Sequence, residues 1–368
     1  NQKEALMLTF TDTYTYTPRY QELDFWQEDQ LLFDIETTGL SAKYNTIYLI
    51  GCAYHKGSEI TLLQYLAETP AEESEVLEAF LELCKDFQGL LSFNGIRFDE
   101  RFILDRCQKL QIPTDALPDQ HFDIYKACRG MKSILNLPSY RQKAIESFLG
   151  IHREDKYSGG ELIAVYQSYC NEPDDEALTL LKLHNYEDVA GMVEILPILS
   201  YAHLKDMQIR ITDLSLSSYT DYQGIQNQEL TFTASTSFRL PAPLRLHTDD
   251  YYIILEDDSI KGTISLYHEK MYHFLPDVKS YVYLPEEDMV IPKELASHIA
   301  KEKKQKATPA TCYIAKVDTY LMVPDALECS DDIYFFARAY KDKKSFIPYQ
   351  KSYVDETFIA RYISCLLN

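Results

Sequence analysis

The apolar positions change period twice along this chain, and the changes mark its organisation. Leu31-Leu32-Phe33 opens an apolar strand that Thr37-Thr38-Gly39 breaks, Thr46 to Tyr54 reads as a second strand, and Glu59 to Leu66 as a third. Gly57-Ser58 supplies turn chemistry between the last two, so these strands are expected as antiparallel neighbours. Between Glu72 and Phe87 the apolar residues Val76, Leu77, Phe80, Leu81 and Cys84 recur with the spacing of a helix face. Gly89 to Phe93 then reads as a short strand, Asp99 to Leu110 as a helix, and His121 to Ile124 as a fifth strand. Helices follow at Ala144 to Leu149, Gly160 to Cys170 and Glu176 to about Leu199. This order is that of a mixed α/β domain.

Beyond Ala202 to Asp213 the pattern turns β-rich, with runs at Leu230 to Ala234, Tyr251 to Leu255, Thr263 to Leu266 and Tyr281 to Leu284. Helices are expected there at Glu294 to Lys304 and Glu356 to Leu367. The expected division is a polar, Tyr/Thr-rich lead-in strand or arm over 1–28, an α/β domain over 29–204, and a β-rich α+β domain over 205–368. A chain of 368 residues suits two domains.

Composition narrows the class. Apolar residues make up 46% and charged residues 25%, as in a soluble globular protein. No stretch has the length and apolarity of a membrane span, and Asn1 to Thr9 lack the pattern of a secretory signal. Eight cysteines without a C-x-x-C pair read as free thiols of a reducing compartment, so a cytoplasmic location is expected. The net charge of −21 argues against a passive nucleic-acid coat, because phosphate binding relies on Lys and Arg. It does not exclude nucleic-acid processing by carboxylates occupied by divalent cations, which invert the local field.

Three segments carry candidate chemistry. In Phe33-Asp34-Ile35-Glu36-Thr37-Thr38-Gly39-Leu40, the two acids stand at i and i+2 of a strand and share one face. Carboxylates so placed repel unless a cation or proton lies between them, and hard oxygen ligands favour Mg²⁺ or Mn²⁺. Alone, D-x-E is also what a solvated strand face presents. In Ser92-Phe93-Asn94-Gly95-Ile96-Arg97-Phe98-Asp99, a strand ends and a helix begins, so Asp99 suits either an N-cap or a site carboxylate. In His184-Asn185-Tyr186-Glu187-Asp188, His184 and Asp188 share a helix face at i and i+4, as in a surface ion pair or a site.

Together, in this order and spacing, the three segments resemble the three exonuclease motifs of the DEDD exonuclease family. The chain is also similar to the YprB-like RNase H-like proteins over roughly residues 30–200. That likeness rests on Phe122-Asp123-Ile124, Lys143 to Gly150, Arg153-Glu154-Asp155 with Ser158-Gly159, and His184 to Asp188. The resemblance implies an RNase H-like mixed five-stranded sheet flanked by helices. It also implies 3′→5′ phosphodiester hydrolysis at the 3′ end of single-stranded DNA or RNA with two divalent ions, Mg²⁺ or Mn²⁺. Asp34, Glu36, Asp99 and Asp188 are then the four acids. Asn94 and Phe98 would position the terminal nucleotide, Phe98 by stacking, and the Thr37 and Thr38 backbone would contact its sugar. One departure stands out: the family usually has His five positions before the last Asp or Tyr four before it, whereas His184 stands four before Asp188. Its role as general base or as a group that orients water stays open. Asp123 reads mainly as structural. The basic runs Lys301 to Lys306 and Lys341 to Lys344 suit a strand guide or a solvated surface. A non-catalytic scaffold with this fold and an RNase H-like endonuclease remain the competing readings.

Overall fold

A computed structural model describes residues 7–18, 20, 25–155, 157–330 and 332–367. The chain forms two compact units, 1–202 and 203–368. The first is built on a six-stranded sheet: β1 (Leu8–Thr15), β2 (Gln30–Thr37), β3 (Ile47–Lys56), β4 (Glu59–Leu66), β5 (Gly89–Ser92) and β6 (Gln120–Asp123). Their order across the sheet is β1-β4-β3-β2-β5-β6. β1 to β4 pair antiparallel, while β5 runs parallel to β2 and β6 parallel to β5. The expected five strands are therefore six. The added strand lies within the polar lead-in, where the sequence leaves strand and arm open. An edge strand needs little burial, and β1 contributes mainly Leu8 and Phe10 to packing. Of that lead-in, residues 1–6, 19 and 21–24 lie outside the described residues.

Among the described residues seven α-helices accompany this sheet: α1 (Glu73–Cys84), α2 (Asp99–Leu110), α3 (Ile124–Gly130), α4 (Lys132–Leu135), α5 (Gln142–Leu149), α6 (Gly159–Asn171) and α7 (Asp175–Ile195). On one face, Leu31, Phe33 and Ile35 of β2 join Leu77 and Phe80 of α1 and Ile103 of α2 in one core. On the other, Tyr48, Leu49 and Leu66 pack with Leu162 and Tyr166 of α6 and Leu181 of α7. Alternation along β2 puts Asp34 and Glu36 on the side opposite Phe33 and Ile35. α7 approaches β3 closely at Gly51, where a Cβ would fall 2.2 Å from Asn185 Oδ1 and 2.7 Å from Val189 Cγ2. Only glycine permits that approach, which sets the inward face of α7 beside β2.

The second unit comprises β7 (Ile209–Thr220), β8 (Gln226–Thr236), β9 (Leu244–His247), β10 (Tyr251–Glu256), β11 (Ser259–Phe274), β12 (Tyr281–Leu284), β13 (Met289–Pro292), β14 (Gln305–Lys306), β15 (Tyr313–Val323), β16 (Ser345–Pro348) and α8 (Glu356–Leu366). A seven-stranded sheet is organised around the long β11, and β13-β12-β14 form a small second sheet. The helix expected at Glu294 to Lys304 is absent. Two single-turn 3-10 segments, Leu295–His298 and Lys301–Lys303, stand there, separated by extended Ile299. Ala296 is the one buried residue of these turns and Leu295 is 67% exposed, so no continuous apolar face drives a longer helix. The Lys301 to Lys306 run consequently lies on a turn and a short strand. No helix among the described residues is long and apolar enough to cross a membrane.

Candidate active site

β2 ends in a bulge between Glu36 and Thr37, just after it has delivered Asp34 and Glu36. Asp99 arrives from the first turn of α2. Asn94, two residues beyond β5, adopts φ +64°, a left-handed conformation that asparagine tolerates, and the chain turns there towards α2. The Asn94 N–H donates to Asp123 Oδ1 at 2.9 Å, and the same oxygen caps α3 through the Lys126 N–H. Asp123 is thus a structural acid that shapes the turn before Asp99. Asp99 Oδ1 in turn accepts from the Ile35 N–H at 3.4 Å, between the two β2 acids. α7 supplies the rest: Asn185 Nδ2 donates to Asp34 Oδ2 at 3.3 Å, and His184 and Asp188 stand on the same helix face.

These groups line one cleft of about 950 Å³, with Asp34, Glu36, Asp99, His184 and Asp188 among its walls. His184 Nε2 lies 3.5 Å from Glu36 Oε1 and 3.4 Å from Asp188 Oδ2. Ligand atoms of Glu36, His184 and Asp188 fall within 4.8 Å of one another, a grouping able to hold a metal ion. Asp34 and Asp99 share the cleft but not that tight group. Asn94 and Phe98 also line the cleft, beside Phe93 and Tyr125. Thr37 and Thr38 are not among the lining residues. The Thr38 N–H donates to Thr46 O at 3.0 Å and the Thr37 hydroxyl to Gly39 O at 3.0 Å. Their expected sugar contact therefore has no free Thr38 amide behind it.

The electrostatics follow from crowding acids away from water. Burial pushes the Asp34 carboxyl well above its usual range, and repulsion from Asp188, Asp99 and Glu36 adds to it, against the Asn185 hydrogen bond. Burial does the same to Glu36, reinforced by Asp188, Asp99 and Asp155. Asp99 is pushed up to about 7, again by burial first, against two backbone hydrogen bonds. The donor set is hard, concentrated and short of positive charge, which is the condition that divalent cations relieve.

Three supporting residues had no role assigned from the sequence. Asp155 Oδ2 lies 2.7 Å from His184 Nδ1. Burial opposes ionisation of Asp155, but hydrogen bonds from the Tyr157 N–H and His184, with the charge of Lys143, hold its carboxyl below the usual range. Arg153 pairs with Asp188 Oδ1 and, through Nε at 2.6 Å and Nη2 at 2.5 Å, with Glu146. Asn185 bridges Asp34 to Gln64. The charged run Arg153-Glu154-Asp155 was the visible signal for two of them. Its partners on α7 lie some thirty residues away, and nothing local reveals that pairing.

The matching family model falls on the same unit. Residues 31–200 match the family model of the RNase H superfamily. Over 166 residues the chain is 28% identical to the protein YprB of Bacillus subtilis (strain 168), covering 44% of this chain and 40% of that protein. This chain thus spans about two-fifths of the length of that curated relative. Among solved structures it is similar to a family B DNA polymerase from Pyrobaculum calidifontis (16% identity, TM-score 0.37, 47% of this chain and 25% of that one). It is also similar to a zinc-bound E. coli ExoI–ssDNA complex (12% identity, TM-score 0.29, 79% and 65%). The superfamily model takes in the mixed sheet from β2 onward and the helices to α7, and together with the YprB match it supports an RNase H-like, YprB-like domain over residues 31–200.

Proposed function

We propose that the first unit is a divalent-metal-dependent 3′→5′ exonuclease acting on single-stranded DNA or RNA. The superfamily supports a nuclease-type hydrolase. The observation that carries the finer reading is the convergence of Asp34, Glu36, Asp99 and Asp188, from three distant segments, on one cleft. The four carboxylates suit a pair of Mg²⁺ or Mn²⁺ ions. Ions held there would supply an activated water, neutralisation of the phosphoryl oxygens and relief of charge on the leaving 3′ oxygen. Asp34 and Glu36 hold their oxygens on a rigid strand end, so little reorganisation accompanies the reaction. Asn94 and the half-buried ring of Phe98 stand on the cleft wall, where a terminal base can stack. His184 offers a single lone pair at Nε2, usable either to take the proton of the attacking water or to bind a cation.

The test incubates the full chain with end-labelled single-stranded oligonucleotides and Mn²⁺, beside Asp34→Ala. A ladder receding from the 3′ end, absent in the variant, is the expected result. Internal cuts would transfer the site to an endonuclease. Binding without any metal-dependent product would leave a scaffold.

A further inference from the structure

His184 is 5% exposed, and its two ring nitrogens face different surroundings. Nδ1 meets the Asp155 carboxylate at 2.7 Å. A carboxylate only accepts, so Nδ1 carries the hydrogen and the neutral ring presents its lone pair at Nε2. Nε2 makes no hydrogen bond among the described residues and is aimed at Glu36 Oε1 and Asp188 Oδ2, at 3.5 and 3.4 Å. Those separations are long for charge-assisted hydrogen bonds, which run at about 2.7–2.9 Å. They match the distance of roughly 3.4 Å between two ligands that each sit about 2.1 Å from one ion at the tetrahedral angle.

The ligands are also held from behind. Asp188 gives Oδ1 to Arg153, which Glu146 anchors, so Oδ2 is the oxygen left towards His184. Asp155 fixes the imidazole, and Glu187 accepts from the Glu154 and Asp155 N–H groups at 2.9 and 2.8 Å, which fixes Asp155. A carboxylate behind the imidazole is the usual support of a metal-binding histidine.

We infer that His184 Nε2, Glu36 and Asp188 Oδ2 form one mixed nitrogen–oxygen site for a divalent transition cation, with Asp155 as the residue that positions the imidazole. The inference rests on the nuclease reading for the purpose of the ion. It assigns His184 to the cation rather than to the attacking water. It also sets a preference: Mg²⁺ takes oxygen ligands, whereas an imidazole nitrogen suits Zn²⁺ and Fe²⁺ and is accepted more weakly by Mn²⁺, so Mg²⁺ is the weakest occupant.

Mn²⁺ binding to the chelator-stripped full chain tests this by electron paramagnetic resonance, with spin-echo modulation reporting coupling to ¹⁴N. Wild type is expected to show nitrogen coupling. His184→Gln should lose the coupling, bind Mn²⁺ at least about tenfold more weakly, and allow Mg²⁺ to compete better. Asp155→Asn keeps the imidazole and should weaken Mn²⁺ about tenfold. Should His184→Gln fail to fold, the wild-type coupling and the Asp155→Asn affinity decide together. Mn²⁺ bound by wild type without nitrogen coupling overturns the assignment and leaves an all-oxygen nuclease site standing. No Mn²⁺ binding at all removes both this site and the two-cation nuclease.

Discussion

Glu73 and Glu36 are glutamates of the same unit, 2% and 8% exposed, yet they are buried in opposite ways. Glu73 comes with its own cation: Arg106 donates through Nε at 2.7 Å and through Nη2, and the Ile47 N–H adds a third bond at 2.8 Å. Glu36 shares its pocket with Asp34, Asp99 and Asp188, and the basic group within 4 Å of it among the described residues is His184. Asp250 of the second unit follows the Glu73 pattern, bonded to Lys344 Nζ at 2.6 Å and Tyr267 at 2.9 Å. Acids held for architecture bring their partners with them. Of the cleft acids, Asp188 has Arg153 as partner, but Asp34, Glu36 and Asp99 are held by backbone geometry and left short of positive charge, which is a cost to the fold that a ligand removes.

The largest effect expected from that contrast is at Asp34. Asp34→Asn should lower nucleotide release on the order of 10³-fold, since a preorganised charge is removed from the site. The same change relieves repulsion, so the variant's Tm in chelator should equal or exceed that of wild type. A variant that is inactive because it melts earlier would place Asp34 with Glu73 and undo the comparison. Arg106→Leu should do the reverse. Leaving Glu73 buried without its partner costs about 3–5 kcal/mol, seen in urea unfolding, while activity per folded molecule stays within twofold.

How far this contrast could be read from sequence depends on distance along the chain. Asp34 and Glu36 were legible because a strand repeats every second residue, and His184 with Asp188 because a helix repeats near four. Asp99 was legible because a strand end, Asn94-Gly95 and a helix start bracket it. The Arg106–Glu73 pair, the Arg153–Asp188 pair and the Asp155–His184 contact join elements 29 to 35 residues apart, where only packing decides who meets whom. β1 escaped as a sixth strand because an edge strand needs no apolar alternation. The short turns at 295–303 were misread because helix propensity without a buried face is insufficient.

The next effect is in pH. Asp99 is raised to about 7 from an ordinary 3.8, and Asp34 and Glu36 are raised as well, with burial the leading cause. The folded protein therefore holds more protons than the unfolded chain between pH 4 and 7, and stability falls as pH rises through that window. Metal-free protein should melt higher at pH 5 than at pH 8. Added Mn²⁺ should displace the protons and raise the Tm more at pH 8 than at pH 5. A metal-free Tm that climbs from pH 5 to pH 8, with the same Mn²⁺ increment at both, would mean the cleft acids are already satisfied.

The smallest effect is at Glu187, whose carboxylate hydrogen-bonds neither the cleft acids nor His184. It accepts two N–H groups from the segment that carries Arg153 and Asp155, the partners of Asp188 and His184. Glu187→Ala removes both bonds, worth about 1 kcal/mol each at a partly exposed site. The four acids keep their places, so global stability should drop by no more than about 2 kcal/mol. Mn²⁺ affinity, by contrast, should fall several-fold, because a loosened segment lets the imidazole and the Asp188 carboxylate rotate away from a common point. Thermal melts of the variant over a series of Mn²⁺ concentrations read both quantities. An unchanged affinity would show that α7 alone aims His184 and Asp188, and that the 153–155 segment is packing rather than support.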